Sequence, residues 1–382
     1  MAKTKLKKIE TLTLSRAAQG AIAQQFKQIV RSEPDVLNDV DPEAIHQMRV
    51  GLRRLRTSLR VFGTCLDLPR AAQEKQVKAI AGCLGRVRDL DVLIEELESH
   101  YFSALPAAEQ EYLATILAKL RTRRYKRFKQ ASTLLTGSTY SSFKEAYQDW
   151  LAAPQFNQIA SLPAIDRVPD LLLPWYCQVL QHPGWLIATH ITEQHEVRVR
   201  LLGSYLHQEL EQAAIPLHDL RKQIKQVRYQ SELFVDCYGD RFRTVLQGLK
   251  LAQDLLGGLQ DIDVFRTTIK TLLKGNTETK LPSLMAQLRE SQASLWRDWQ
   301  PLQQRYLDPA FRAGIRVVLT QTMAATAPSV TAPPVTKGGK GKHSGKQHSS
   351  DSRKRSHNGS NSSRNGIKQG TSGNRSQAVT GK

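Results

Sequence analysis

The sequence predicts an all-α fold: two antiparallel helical bundles, related by a pseudo-twofold and flanking a basic groove or channel, followed by a disordered C-terminal tail. Three observations carry this expectation. Apolar residues recur at three-four spacing through most of residues 12–320, the signature of a helix with one buried face. No alternating strand pattern and no hairpin dipeptide between β-rich runs breaks that periodicity. A segment starting at His46 recurs, without a gap, 172 positions later, as a duplicated bundle would.

The elements follow in order. A basic N-terminal extension covers 1–11, and a first helix is expected over 12–31, with 35–41 as a connection. Asp41-Pro42-Glu43 is a helix start, with a capping carboxylate, a proline in the first turn and an acid near the positive end of the dipole. The helix it opens includes 45–62 and breaks at Pro69. Further helices are expected over 71–99, from Pro106 through the basic run Arg121–Lys129, and over 140–151. Pro154, Pro163, Pro169 and Pro174 mark 152–173 as a linker between the halves 12–151 and 174–320. In the second half, helices are expected over 171–181 and 193–212 with His182-Pro183-Gly184-Trp185 as a turn between them, then from Pro216, over 240–274, 282–306 and 308–319.

Charge narrows the partner class. The chain has 382 residues, 55 Lys and Arg against 35 Asp and Glu, and a net charge of +20. Such an excess points to a polyanion: nucleic acid, an acidic membrane surface or inorganic polyphosphate. Residues 321–382 hold 11 Lys and Arg and one acid, so the tail has +10 and the rest the other +10. With no Phe, Tyr or Trp, the tail cannot bury enough surface to offset its ordering entropy and is expected to be disordered. No 18-residue apolar run spans a membrane, and the first residues lead into no signal-like apolar stretch. Four cysteines without C-x-x-C spacing suit reduced thiols, and a cytoplasmic protein is expected.

The segment IHQMRVGLRRLRTSLRVF has two edges. Ile45, Met48, Leu52, Leu55, Leu59 and Phe62 form a buried seam. His46, Arg49, Arg53, Arg56 and Arg60 take the same steps one residue on, so they form a second stripe about 100° round the helix and roughly 21 Å long. No acid lies between Glu43 and Asp67. At the offset of 172, His46 falls on His218, Arg49 on Arg221, Arg53 on Lys225, Arg56 on Arg228, Phe62 on Phe234 and Cys65 on Cys237. Lys78, Leu84, Gly85, Asp89, Asp91 and Val92 fall on Lys250, Leu256, Gly257, Asp261, Asp263 and Val264, for 11 identities in 47 positions. Helical periodicity alone matches leucines. It does not match His, Asp, Gly and Cys at one offset.

These residues resemble the CHAD domain family, through the pattern H-x-x-R-x-x-x-(R/K)-x-x-R present twice and its partners LGRVRDLDVL and LLGGLQDIDVF. The resemblance covers about residues 12–320. It implies two helical bundles around a basic channel, binding of inorganic polyphosphate and association with polyphosphate granules. The second copy departs from the first in carrying Glu232 where the first has Arg60. The triphosphatase domain fused to some family members is not expected here, since no E-x-E-x-K motif is present.

Polyphosphate is a flexible line of anionic phosphates with no apolar face, so charge and hydrogen bonds must hold it. Arginine forks suit phosphate oxygens, and lysine adds point charge. The expected ligand-binding residues are His46, Arg49, Arg53, Arg56, Arg60, His218, Arg221, Lys222, Lys225 and Arg228, with Lys78, Lys250, Arg121 and Arg124 as secondary candidates. The histidines are expected to strengthen binding as pH falls from about 7.5 to 6. Asp89, Asp91, Asp261 and Asp263 would repel a polyanion, so they are expected to hold basic-helix arginines in place. No H-x-x-x-H or C-x-x-C spacing supports a metal, and no phosphate loop or nucleophile motif supports catalysis. The protein is therefore expected to be a binding module rather than an enzyme, with no cofactor. Nucleic-acid binding, including nonspecific contact through the tail, and phosphate-processing activity are the competing readings.

Overall fold

The computed structural model describes residues 11–200 and 203–323. The expected N-terminal extension and tail lie outside these residues, apart from Thr11 and 321–323. Twelve α-helices make up the described fold, with two very short antiparallel strand pairs.

Helix α1, Leu14–Asn38, starts on Thr13, whose side chain accepts from the Arg16 amide. It runs past the expected end at 31 and through Pro34. Buried Val36 anchors its last turn, and Asp39, at φ 53°, closes it from the left-handed region. Helix α2, Pro42–Val61, is the basic helix. Asp41 accepts from the Glu43 amide at 2.8 Å, and Pro42 occupies the first turn, as expected. A Cβ on Gly51 would come within 2.9 Å of Ile29 Cγ1, so this glycine lets α1 and α2 approach closely and seats the basic helix.

Strand β1, Leu66–Asp67, pairs with β2, Gln155–Phe156. Between them lie α3, Glu74–Glu96, a π-turn over Leu97–Tyr101, α4, Ala107–Leu135, and α5, Ser138–Ala152. Helix α6, Ala164–Leu180, begins earlier than expected and contains both Pro169 and Pro174. Its buried stripe of Ala164, Ile165, Val168, Leu172, Tyr176 and Val179 outweighs the two missing amide donors, one in the second turn and one on the exposed side.

The helix expected from 193 is instead a hairpin, β3 Thr189–Ile191 with β4 Val197–Val199. Its β-branched residues favour extended backbone, and His195 takes a positive φ of 61° in the turn. Gln304 clamps the outer strand, accepting from the Val199 amide at 3.0 Å and donating to the Val197 carbonyl at 3.1 Å. Then follow α7, Leu206–Gln212, α8, Ala214–Glu232, and α9, Asp240–Leu272. The one-turn α10, Thr277–Lys280, leads into α11, Pro282–Leu307, and α12, Pro309–Thr320.

Three apolar clusters hold these helices. One packs α1, α2, α3, α5 and the end of α4 through residues such as Ile29, Met48, Leu52, Leu84, Phe143 and Tyr147. The largest packs α6, α8, α9, α11 and α12 around Trp185, Trp299 and Tyr306, and takes in Phe62 and Cys65 from the first half. The third joins Leu93, Leu97 and Ile116 of the first half to Ile262, Phe265 and Leu288 of the second. Buried Glu109 of α4 ties the halves further, accepting from the Ser283 and Leu284 amides at 3.0 and 3.2 Å and so capping α11.

Candidate functional site

The two basic helices, α2 and α8, meet. Phe62 and Phe234, matched across the repeat, contact edge to face with centroids 5.7 Å apart. Arg60 donates to Gln226 at 3.0 Å, and the Arg53 guanidinium lies 4.4 Å above the Tyr229 ring. Beside this contact opens a cleft of about 400 Å³. Its lining takes His46, Arg49 and Arg53 from α2, Arg88 and Asp89 from α3, Arg221 and Lys225 from α8, and Asp261 from α9. Val50, Val92, Leu93, Val264 and Phe265 supply the apolar part of the wall.

The recurring glycines explain how the arginines are held. Arg49 donates to the Gly85 carbonyl at 3.0 Å and to Asp89 at 2.9 Å. A Cβ on Gly257 would lie only 3.3 Å from Arg221 Nε. Gly257 thus gives Arg221 room to lie along the neighbouring helix, whereas a Cβ on Gly85 would meet Arg49 at an ordinary 3.9 Å, so there the carbonyl is what holds the arginine. The Asp89 side chain is 72% exposed, so its pair with Arg49 is weakly stabilising and open to exchange for a stronger anion.

Three cations in the cleft lack a salt bridge among the described residues: Arg53, Arg221 and Lys225. The Nε atoms of Arg53 and Arg221 are buried without a hydrogen-bond partner. Such donors are costly unless something accepts from them. Burial, followed by Arg53, Arg221, Arg49 and Arg228, brings the Lys225 ammonium down to about 8. Burial also lowers Arg53, with Arg228 and Arg49 adding to the effect against the attraction of Tyr229. A site that depresses its own cations stabilises them when an anion enters.

His46 lies in the same cleft. Burial lowers its pKa; Glu43 opposes that, and Arg88, Arg53 and Arg49 reinforce it. Its repeat partner does not share the cleft. His218 lines a separate cavity of about 20 Å³ with Leu210, Asp263 and Gln292, walled by α7 and α11, and its Nδ1 has no hydrogen-bond partner.

Several expected ligand residues are already engaged. Arg56 and Arg60 converge on one carboxylate oxygen of Glu74, at 3.0 and 2.7 Å. Burial works against the Glu74 charge, but the hydrogen bonds from Arg60 and Arg56 outweigh it and leave the pKa lowered. Arg228 pairs with Glu232, donates to Gln253 at 3.0 Å and stacks 4.3 Å from the Tyr229 ring. Lys222 pairs with Asp219 at 2.5 Å outside the cleft lining. Lys78 and Lys250 are exposed and also outside it. Arg121 pairs with Glu98. Arg124 is half-buried between Asp39 and Asp91, which makes it a structural cation rather than a ligand contact.

The repeated acids divide. Asp89 pairs with Arg49 of the basic helix. Asp91 does not: it pairs with Arg124 at 2.7 Å, because α4 rather than α2 lies against its side. Asp261 stands at the cleft with its residue exposed, yet the walls desolvate its carboxyl and raise it, against the pull of Arg221. Burial likewise raises Asp263, against Arg266, and no salt bridge holds it among the described residues.

Two contributors escape a reading of the sequence. Arg88 lines the cleft with a side chain 17% exposed and a partnerless Nε. It directly precedes Asp89, which was a usable signal, but its repeat position is Gln260. Tyr229 lies between Arg53 and Arg228, and its repeat position is Thr57. Charges so arranged can bind an anion with several acceptor groups. Among the described residues no cluster of three or more His, Cys, Asp or Glu is placed to hold a metal.

The crystal structure of the CHAD domain from the plant Ricinus communis superposes with a TM-score of 0.51 at 21% identity, covering 81% of this chain and 92% of that one. PptA from Streptomyces chartreusis gives a TM-score of 0.45 at 14% identity, covering 75% and 100%. A search of curated proteins found no significant match. The sequence profile of the CHAD domain matches residues 20–270, about two thirds of the chain and both basic helices, and the protein accordingly belongs to the CHAD domain family.

Proposed function

We propose that this protein binds inorganic polyphosphate in the cleft between α2 and α8 and does not turn it over. Family membership supports a polyphosphate-associated role in general. The observation that carries the specific reading is that both halves send cations into one cleft, and that Arg53, Arg221 and Lys225 there have no salt-bridge partner among the described residues. Phosphate oxygens supply the missing acceptors and relieve the mutual repulsion. Arg49, Arg88 and His46 extend the surface, so one chain of phosphates meets donors from three helices. Arg56, Arg60 and Arg228 play a supporting part, since Glu74 and Glu232 already balance them. In the cell such binding would place the protein at polyphosphate granules.

Titration of the full chain with polyphosphate, with double-stranded DNA of equal charge as competitor, tests the reading. Arg53→Glu combined with Lys225→Glu is expected to abolish binding, and either change alone to weaken it. Affinity should fall steeply with salt, by analogy with counterion release from nucleic acids. If the double variant binds polyphosphate as tightly as wild type once 321–382 is also removed, the cleft is the wrong site. Release of orthophosphate during incubation with Mg²⁺ would refute the absence of turnover.

A further inference from the structure

Lys225 differs in kind from Lys222 of the same helix and Lys250 of α9. Lys222 is exposed and paired with Asp219, and Lys250 is exposed outside the cleft. Lys225 is half-buried in the cleft wall, with Arg49, Arg53 and Arg221 in the same lining. No carboxylate is within ion-pair distance among the described residues, though the Lys225 charge is felt by Asp261 in the same cleft. The surroundings therefore do two things at once. They concentrate phosphate groups, and they favour the neutral, nucleophilic form of the amine, whose pKa falls to about 8.

We propose that Lys225 is an acylation site, modified by small acyl phosphates that the cleft arginines draw in by their phosphate group, and that acylation switches off polyanion binding. The first half of this proposal stands on the cleft and does not depend on polyphosphate binding. The second rests on the polyphosphate reading above. In the step, the Nζ lone pair attacks the carbonyl carbon. A C–N bond forms, and the C–O bond to phosphate breaks. Phosphate leaves with the bonding pair and takes up the amine proton, so an amide and inorganic phosphate are the products. No oxidant, metal or enzyme is needed. The amide has no charge, so the cleft loses a cation that has no substitute in the wall of α8 except Arg221.

The test uses the full chain, acetyl phosphate as the probe at pH 8, and peptide mass spectrometry to read the acetylation rate at every lysine. At pH 8 a lysine with a pKa near 8 has about half its amine free, against well under one per cent for an ordinary lysine. Lower intrinsic nucleophilicity offsets part of that gain, so Lys225 is expected to react about tenfold faster than Lys222 or Lys250. Arg53→Gln with Arg221→Gln should slow Lys225 severalfold without taking it to their rate, since its burial remains, with thermal unfolding checking that this variant is folded. Rates at Lys225 no greater than at Lys222 and Lys250 in wild type would overturn the proposal and leave polyphosphate binding untouched, since no polyphosphate is present in that assay. For the switch, both the chain acetylated at Lys225 and Lys225→Gln should bind polyphosphate at least tenfold more weakly than the unmodified wild type. Equal affinities of Lys225→Gln and wild type, in a protein that does bind polyphosphate, would overturn the switch.

Discussion

Replacing Arg124 by methionine separates a cation that holds the fold from the cations that hold the ligand. Arg124 Nε donates to Asp91 at 2.7 Å, and its terminal nitrogens take both oxygens of Asp39. The side chain of Asp91 is 5% exposed and that of Arg124 17%. The two carboxylates raise the Arg124 pKa above its ordinary value despite burial, so it is charged at any working pH. Burial raises the Asp91 carboxyl even with Arg124 present. Methionine keeps most of the length and removes the charge, which leaves Asp91 buried without a counterion. Breaking a buried pair on one side costs about 3–5 kcal/mol, which lowers Tm by on the order of 10 °C. Without Arg124 the folded pKa of Asp91 rises further above the unfolded value of about 3.9. A raised carboxyl binds more protons folded than unfolded, so the penalty is full at neutral pH and shrinks as pH falls through the folded pKa. Differential scanning calorimetry at pH 7.5 and pH 5 should therefore show a large Tm gap from wild type that narrows at the lower pH. Polyphosphate affinity, measured well below the variant's Tm, should stay within twofold. An unchanged Tm together with a tenfold loss of affinity would refute this account and return Arg124 to the ligand site.

Other expectations follow from the same geometry. Because burial and the nearby arginines hold His46 below the ordinary histidine value despite Glu43, its contribution to affinity should grow only as pH drops below about 6.5, a lower window than the sequence suggests. Titrations between pH 7.5 and 5 in wild type and His46→Ala should diverge there, and parallel curves would remove His46 from the site. Lys225 has a free-state value of about 8 that a bound polyanion raises. Its share of the affinity is therefore full below pH 8 and is lost as pH rises through 8, by up to about tenfold at pH 9, as isothermal titration can read. Lys225→Arg should lack that fall, and an equal fall in both would assign it elsewhere. Glu74→Gln should release Arg56 and Arg60 and raise polyphosphate affinity a few-fold, at a stability cost of about 1 kcal/mol. Weaker binding would mean that Glu74 positions these arginines instead of masking them.

The sequence by itself determined the helical class, the two basic helices and their matched partners. Periodic seams such as Ile45, Met48 and Leu52 are local, and a helix start such as Asp41-Pro42-Glu43 acts within one turn, so both can be read without the fold. The tertiary structure decided which cations are free. His46 and His218, Arg49 and Arg56, Asp89 and Asp91 look alike in sequence. They part company because Glu74, α7 and α4 come from elsewhere in the chain. The same holds for β3 and β4, whose pairing is completed by Gln304, and for the long α6, whose prolines are overruled by buried contacts. A residue's charge is a local property. Whether that charge is paired, buried or open to a ligand depends on long-range packing, and only the folded chain brings Arg53, Arg221 and Lys225 to one cleft.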